Sequence, residues 1–137
     1  MLGSAQAQDY MATRLISFGP ETLMPDAIRA LQEYGISGAP VVDAEGNLVG
    51  MLSELDCIRA VMEQTGQSDE TGVDGQVADY MTGNPDRVAH DADLTEVAQL
   101  FMQQGRRRLP VVRGGKLVGQ ISRRDILRAV EELTREG

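Results

Sequence analysis

A chain of 137 residues has room for one domain, or for two small repeats that share a core. Its hydrophobic content of 42% is that of an ordinary globular protein, and no apolar run reaches the length of a membrane span. A net charge of −8 excludes general nucleic-acid binding, which needs a basic face to displace counterions. The charge is divided unevenly. Residues 1–76 carry three arginines against twelve acids, while residues 77–137 carry ten basic residues against nine acids. The N-terminus lacks a basic stretch followed by an apolar one, so no secretory signal is expected. The lone cysteine, Cys57, allows no internal disulfide, and a reducing, cytoplasmic setting fits.

Residues 1–8 are small and polar without periodicity, and read as a loose end or a cloning remnant. Asp9-Tyr10-Met11 opens the ordered chain, and Leu15-Ile16-Ser17-Phe18 suggests a short strand closed by Gly19-Pro20. Leu23, Ala27, Ile28 and Leu31 then form an apolar stripe of helical period, with Pro25 in the first turn and Gly35 as the stop. Val41-Val42 and Leu48 to Leu52 read as two strands joined by the turn Asp43-Ala44-Glu45-Gly46-Asn47. Ser53 opens the next helix, with Asp56 in the acidic slot of a capping box. Leu55, Ile58, Val61 and Met62 are expected to supply that helix's buried face, with Cys57 a small buried group. Residues 64–76 are nearly all polar with three glycines, the composition of a flexible linker.

The order then repeats. Asp93 and Glu96 suggest a capping box ahead of Leu94, Val97, Ala98, Leu100 and Phe101, and Gly105 ends that helix. Val111-Val112 and Leu117 to Ile121 form a second hairpin turning at Gly114-Gly115, and Ser122 opens a last helix bearing Ile126, Leu127, Val130 and Leu133. Pro40 recurs as Pro110 and Asp9-Tyr10-Met11 as Asp79-Tyr80-Met81, each at a shift of 70. Asp56 recurs as Asp125 at a shift of 69, the lost residue falling in the hairpin turn. Self-similarity at one period means one supersecondary unit built twice. The expected fold is α+β: two β-α-β-β-α repeats related by a pseudo-two-fold axis, their sheets packed together with helices outside. The repeats are placed at 9–63 and 77–135, joined by the linker at 64–76.

The pattern Gly-Ile-x-x-x-Pro-Val-Val-Asp…Gly-x-Leu-Val-Gly-x-Leu-Ser-x-x-Asp, with its second version from Gly105 to Asp125, resembles the cystathionine-β-synthase (CBS) domain. Two copies over about residues 9–133 resemble a tandem CBS pair, or Bateman module, of the stand-alone signal-transduction type. The resemblance implies a regulatory module that binds AMP, ADP, ATP or S-adenosylmethionine between its repeats, the nucleotide phosphates bringing Mg²⁺ where a metal is present. It also implies a homodimer of CBS pairs that passes ligand state to a protein partner.

By the same resemblance Asp56 and Asp125 take the ribose, since one carboxylate can accept hydrogen bonds from both vicinal hydroxyls. Ser53 and Ser122, at helix N-termini with free backbone N–H groups, take phosphate. Arg107 and Arg108 suit bidentate phosphate contact, and the first copy departs from this with Ser37 and Gly38. The adenine positions, addressed through backbone groups, are Ala12, Thr13 and Ile16 in the first repeat and Thr82, Gly83 and Asp86 in the second, with Ala39, Pro40, Leu109 and Pro110 contributing apolar walls. Each functional reading has a plainer rival: the Ser-x-x-Asp pairs as mere capping boxes, and Arg106-Arg107-Arg108 as a solvated turn. His90 is the only histidine and reads as a solvated loop residue. Without further histidines or a cysteine cluster no metal site is expected, and without a Gly-x-x-x-x-Gly-Lys-Ser/Thr loop or a catalytic set no turnover either. The alternatives to a sensor are a ligand-free dimerisation or interaction module, or a detached regulatory part of a larger enzyme or transporter.

Overall fold

The computed structural model describes residues 1–64 and 73–136. Most of the linker expected at 64–76, residues 65–72, therefore lies outside the described residues. A 3-10 turn over Leu2–Ser4 leads to helix α1 (Ala7–Tyr10). Helix α2 (Met24–Tyr34), strands β1 (Gly38–Val42) and β2 (Leu48–Ser53), and helix α3 (Glu54–Gln64) complete the first repeat. The second runs α4 (Val77–Tyr80), β3 (Thr82–Gly83), β4 (Val88–Ala89), α5 (Leu94–Gln104), β5 (Arg108–Arg113), β6 (Lys116–Ser122) and α6 (Arg123–Glu136). Two three-stranded sheets result, in the orders β1-β2-β3 and β4-β5-β6. The α+β class and the twofold repetition follow the reading of the sequence.

The compact units cut across the sequence repeats. A composite unit joins residues 1–15 to 86–137, and a continuous unit spans residues 16–85. In the composite unit Ala5 and Ala7 are buried with Leu94, Val97, Leu109 and Ile121. The Ala7 N–H donates to the Ala92 carbonyl at 2.8 Å, and the Gln8 N–H donates to that of His90 at 2.9 Å. Residues 1–8 are thus not a loose end. Their lack of periodicity reflects a segment held by backbone hydrogen bonds, which leave no mark in side-chain pattern. Ala12 exchanges both backbone hydrogen bonds with Gln120 of β6. The continuous unit is built alike: the Val77 N–H donates to Thr22, the Met24 N–H to Gly75, and β3 pairs with β2.

These crossing segments explain two strand glycines. A Cβ on Gly50 would stand 2.5 Å from the Met81 sulfur and 3.0 Å from the Thr82 carbonyl oxygen. A Cβ on Gly119 would meet the Met11 sulfur, and the Ala12 carbonyl oxygen at 2.8 Å. Only glycine lets the two backbones approach so closely.

Other local features follow from capping chemistry. Pro25 sits in the first turn of α2, and Gly35 ends that helix in the left-handed region at φ 61°. Ser53–Asp56 and Ser122–Asp125 form full capping boxes. The box expected at Asp93 is half made: Asp93 accepts the Glu96 N–H at 3.0 Å, and the Glu96 side chain makes no return hydrogen bond to the Asp93 N–H among the described residues. Two complete boxes unforeseen in sequence, Gln6 with Asp9 and Gln76 with Asp79, start α1 and α4.

Three expectations are corrected. Residues 15–18 form no strand; Phe18 alone bridges Val41, and Gly19-Pro20 follow at once, proline lacking the N–H that a ladder needs. On α2 the buried residue at the start is Met24, with Leu23 exposed as the N-cap. On α3 the buried residues are Asp56, Cys57 and Ala60, whereas Leu55 and Ile58 are each 58% exposed and Met62 69%. The helix meets its sheet through small groups, which permit close approach, and turns its larger apolar side chains outward. Leu127 on α6 is likewise exposed, while Ile126 and Ala129 face the core. A groove of about 400 Å³ lined by Ile28, Leu31, Cys57, Ile58 and Val61 runs between α2 and α3. Its counterpart between α5 and α6, about 470 Å³, is lined by Phe101, Met102, Ile126 and Leu127. Among the described residues no helix is long and apolar enough to cross a membrane.

Candidate functional site

Each unit carries one strand-to-helix corner bearing Ser-x-x-Asp. In the composite unit Asp125 Oδ2 accepts hydrogen bonds from the Ser122 N–H (2.8 Å) and Oγ–H (3.0 Å), while Oδ1 pairs with Arg128 at 3.2 Å. Arg128 also donates to the Tyr10 carbonyl and lies 5.1 Å over the Tyr10 ring, so α1 helps aim the corner. The continuous unit repeats this: Asp56 Oδ2 accepts from the Ser53 N–H and Oγ–H, both at 2.9 Å, and Oδ1 pairs with Arg59 at 3.0 Å. The geometry is shared, but access is not. The Asp56 side chain is 6% exposed, that of Asp125 20%.

Around Asp125 the chain forms a pocket of about 200 Å³, lined by Ala12, Arg108, Gln120, Ile121, Ser122 and Asp125. Hairpin register puts Arg108 directly opposite Ser122. A second pocket of about 270 Å³ shares Arg108 and Ser122 with the first and adds Arg107, Arg123 and Arg124. The site therefore offers a partly open carboxylate, a hydroxyl at a helix start and a cluster of guanidinium groups. Such a set can hold a vicinal diol at one end and an anion at the other.

The equivalent positions of the continuous unit carry different chemistry. Gly38 lies opposite Ser53, and exposed Ser37 uses its carbonyl to accept the Glu54 N–H at 2.9 Å, as Arg107 does for Arg123. The residues between serine and aspartate are Glu54 and Leu55 rather than two arginines. Beside them, burial pushes the Cys57 thiol above the ordinary cysteine value, with the negative charges of Asp56 and then Glu54 adding to the rise.

The adenine positions divide between the units. Thr13 follows Ala12 beside the Asp125 pocket, is exposed, and makes no hydrogen bond among the described residues. Thr82 and Gly83 pair with Met51 and Gly50 on β2, in the unit of Asp56. Ile16 packs against the core of the continuous unit, and Asp86 holds Arg106 at 3.1 Å in the composite unit. Ala39, Pro40, Leu109 and Pro110 are buried at the starts of the two hairpins.

The sequence reading missed three side chains at the Asp125 site. Arg123 and Arg124 are the two middle residues of Ser-x-x-Asp, and their charge is legible once that corner is seen as a site. Gln120 is the third: its Nε2 is buried and makes no hydrogen bond among the described residues. Strand alternation from Ser122 would have put it on the same face.

A family model for the CBS domain matches residues 7–63 and 77–132. The chain is 31% identical over 160 residues to the CBS domain-containing protein CBSX2, chloroplastic, of Arabidopsis thaliana, covering 98% of this chain and 67% of that one. It is 32% identical over 127 residues to the A-adding tRNA nucleotidyltransferase of Aquifex aeolicus, covering 93% of this chain but spanning only 14% of that enzyme. The crystal structure of CBSX2 in complex with AMP superposes with a TM-score of 0.80 at 32% identity, covering 94% of this chain and 98% of that chain.

Proposed function

The chain belongs to the CBS domain family and carries the domain twice, and from that premise we propose that it is a regulatory adenosine-nucleotide-binding module whose working site is the pocket around Asp125. The observation that carries the reading is the convergence of Asp125, Ser122, Arg108 and Gln120 with the backbone at residue 12 in one pocket of the composite unit. Asp125 accepts the ribose hydroxyls; Ser122, Arg107 and Arg108 receive phosphate; Thr13 and Gln120 address the base. The AMP complex of CBSX2, a relative of the same fold and at 32% identity, supports an adenosine nucleotide as the class of ligand. In the continuous unit Asp56, Ser53 and Ser37 make a second, weaker site with Thr82 and Gly83. Ligand binding ties the segment at residues 12–13 to β6 and the start of α6, and the change passes to a protein partner without turnover.

Isothermal titration with AMP, ADP, ATP and S-adenosylmethionine tests the reading. The parent should bind at least one of them. Asp125→Ala should lose about a hundredfold in affinity, the worth of two charge-assisted hydrogen bonds, while Asp56→Ala should lose less than about threefold. Absence of binding by the parent would leave the ligand-free interaction module. The same reading includes a homodimer of CBS pairs, which the exposed apolar grooves between α2 and α3 and between α5 and α6 support. Sedimentation should then show a dimer that Ile58→Glu and Leu127→Glu weaken.

A further inference from the structure

We propose that the phosphate end of this site is built for a polyphosphate, so that the composite unit takes adenosine di- or triphosphates in preference to AMP. The inference rests on the nucleotide reading above and specifies the ligand's tail. The pocket lined by Arg107, Arg108, Ser122, Arg123 and Arg124 is at least as large as the one holding Asp125, and the two share Arg108 and Ser122. A ligand whose ribose sits on Asp125 therefore reaches the arginines by extending past Ser122.

Those arginines are uncompensated. Arg107, Arg108 and Arg124 make no ion pair and no side-chain hydrogen bond among the described residues. Two acids of the same unit are engaged by other arginines, Asp125 by Arg128 and Asp86 by Arg106. Arg123 donates its Nε–H to the Arg106 carbonyl at 2.6 Å, which fixes its stem and leaves the terminal nitrogens to the pocket. A monophosphate brings about two negative charges and one set of oxygens, and so answers only part of this group. A longer chain adds anionic oxygens for the further guanidinium groups that line the same pocket, each contact charge-assisted. The continuous unit gives the converse. Ser37, Gly38, Glu54 and Leu55 stand where Arg107, Arg108, Arg123 and Arg124 stand here, and Glu54 opposes any phosphate tail.

The test is titration of the full chain with adenosine, AMP, ADP, ATP and inorganic tripolyphosphate, at low and at 0.5 M salt, for the parent and for Arg107→Ala and Arg124→Ala. The expected result is ATP and ADP binding at least about tenfold tighter than AMP, a preference that narrows with salt and in either variant. AMP binding as tightly as ATP, or a preference indifferent to both arginines, overturns the inference while leaving the nucleotide reading intact. Tripolyphosphate binding without any nucleotide binding supports the polyphosphate tail and overturns the nucleotide reading. Binding of none of these overturns both.

Discussion

The two units present one corner in two chemical versions. Both set serine at a strand end and aspartate one turn into a helix, with the same two hydrogen bonds and the same arginine three residues on. Around that shared geometry the charge diverges. The continuous unit holds two arginines against twelve acids, and the composite unit eleven basic residues against nine acids. Repetition thus supplies the scaffold, and a few unrepeated positions decide what each copy can hold: 37 and 38 against 107 and 108, 54 and 55 against 123 and 124, Met51 against Gln120. An internal repeat is evidence for shared architecture and is silent about shared chemistry.

The sharpest way to break the comparison is to remove each aspartate in turn. Asp56→Ala leaves partly buried donors on Ser53 unmatched and removes a buried carboxylate, and should cost about 2–3 kcal/mol, lowering the Tm by roughly 6–12 °C. Asp125→Ala, at a more open corner, should cost about 1 kcal/mol while carrying the loss of nucleotide affinity. Equal thermal shifts for the two variants would show that the difference in access has no energetic meaning. Next come the crossing glycines. Gly50→Ala and Gly119→Ala should each destabilise by about 1–3 kcal/mol, because the added methyl meets a methionine and a backbone carbonyl. Denaturant unfolding checks this, and a neutral result at either site would mean that the segments do not cross so closely.

A smaller effect with two signs is expected at Gln120. Gln120→Met, which copies Met51, removes an unpaired buried donor and should leave the free protein as stable or up to about 1 kcal/mol more so. The same change should weaken nucleotide binding about three- to tenfold, a hydrogen bond's worth. Loss of stability together with unchanged affinity would make Gln120 a packing residue. The smallest effect concerns Cys57, whose counterpart in the composite unit is Ile126. Its raised folded-state value means that the protonated thiol is the form the fold prefers. Its stabilising contribution is therefore complete below the ordinary thiol value and fades as pH rises beyond it. At pH 8 a disulfide reagent should react at least about tenfold more slowly with the native protein than in urea. Equal rates would place the thiol at the surface.

Much of the molecule was legible in its residues because the signals were local. Gly35 and Gly105 end helices through backbone freedom, Pro25 fits a first turn, and Ser53–Asp56 and Ser122–Asp125 close capping boxes over three residues. The hairpins followed from alternating apolar residues around turn chemistry. The doubled Ser-x-x-Asp marks both corners, and Arg107 and Arg108 mark the cationic side of one. What escaped was set by packing at long range. An apolar residue on a helix declares only that some face is apolar, so Leu55, Ile58 and Met62 passed for core when Cys57 and Ala60 held that place.

The sequence by itself determined the repeat, the elements within it and the chemistry available at each corner, because propensity, capping and charge are properties of neighbouring residues. Tertiary structure alone decided that residues 1–15 complete the unit of 86–137 and that residues 77–85 complete the other. It decided too that Asp125 is open where Asp56 is closed, and that Gln120 meets Ala12 in a pocket with Arg108. Those outcomes rest on backbone pairing between distant segments and on which side chains end up sharing a cavity, and neither is written in any local stretch of the chain.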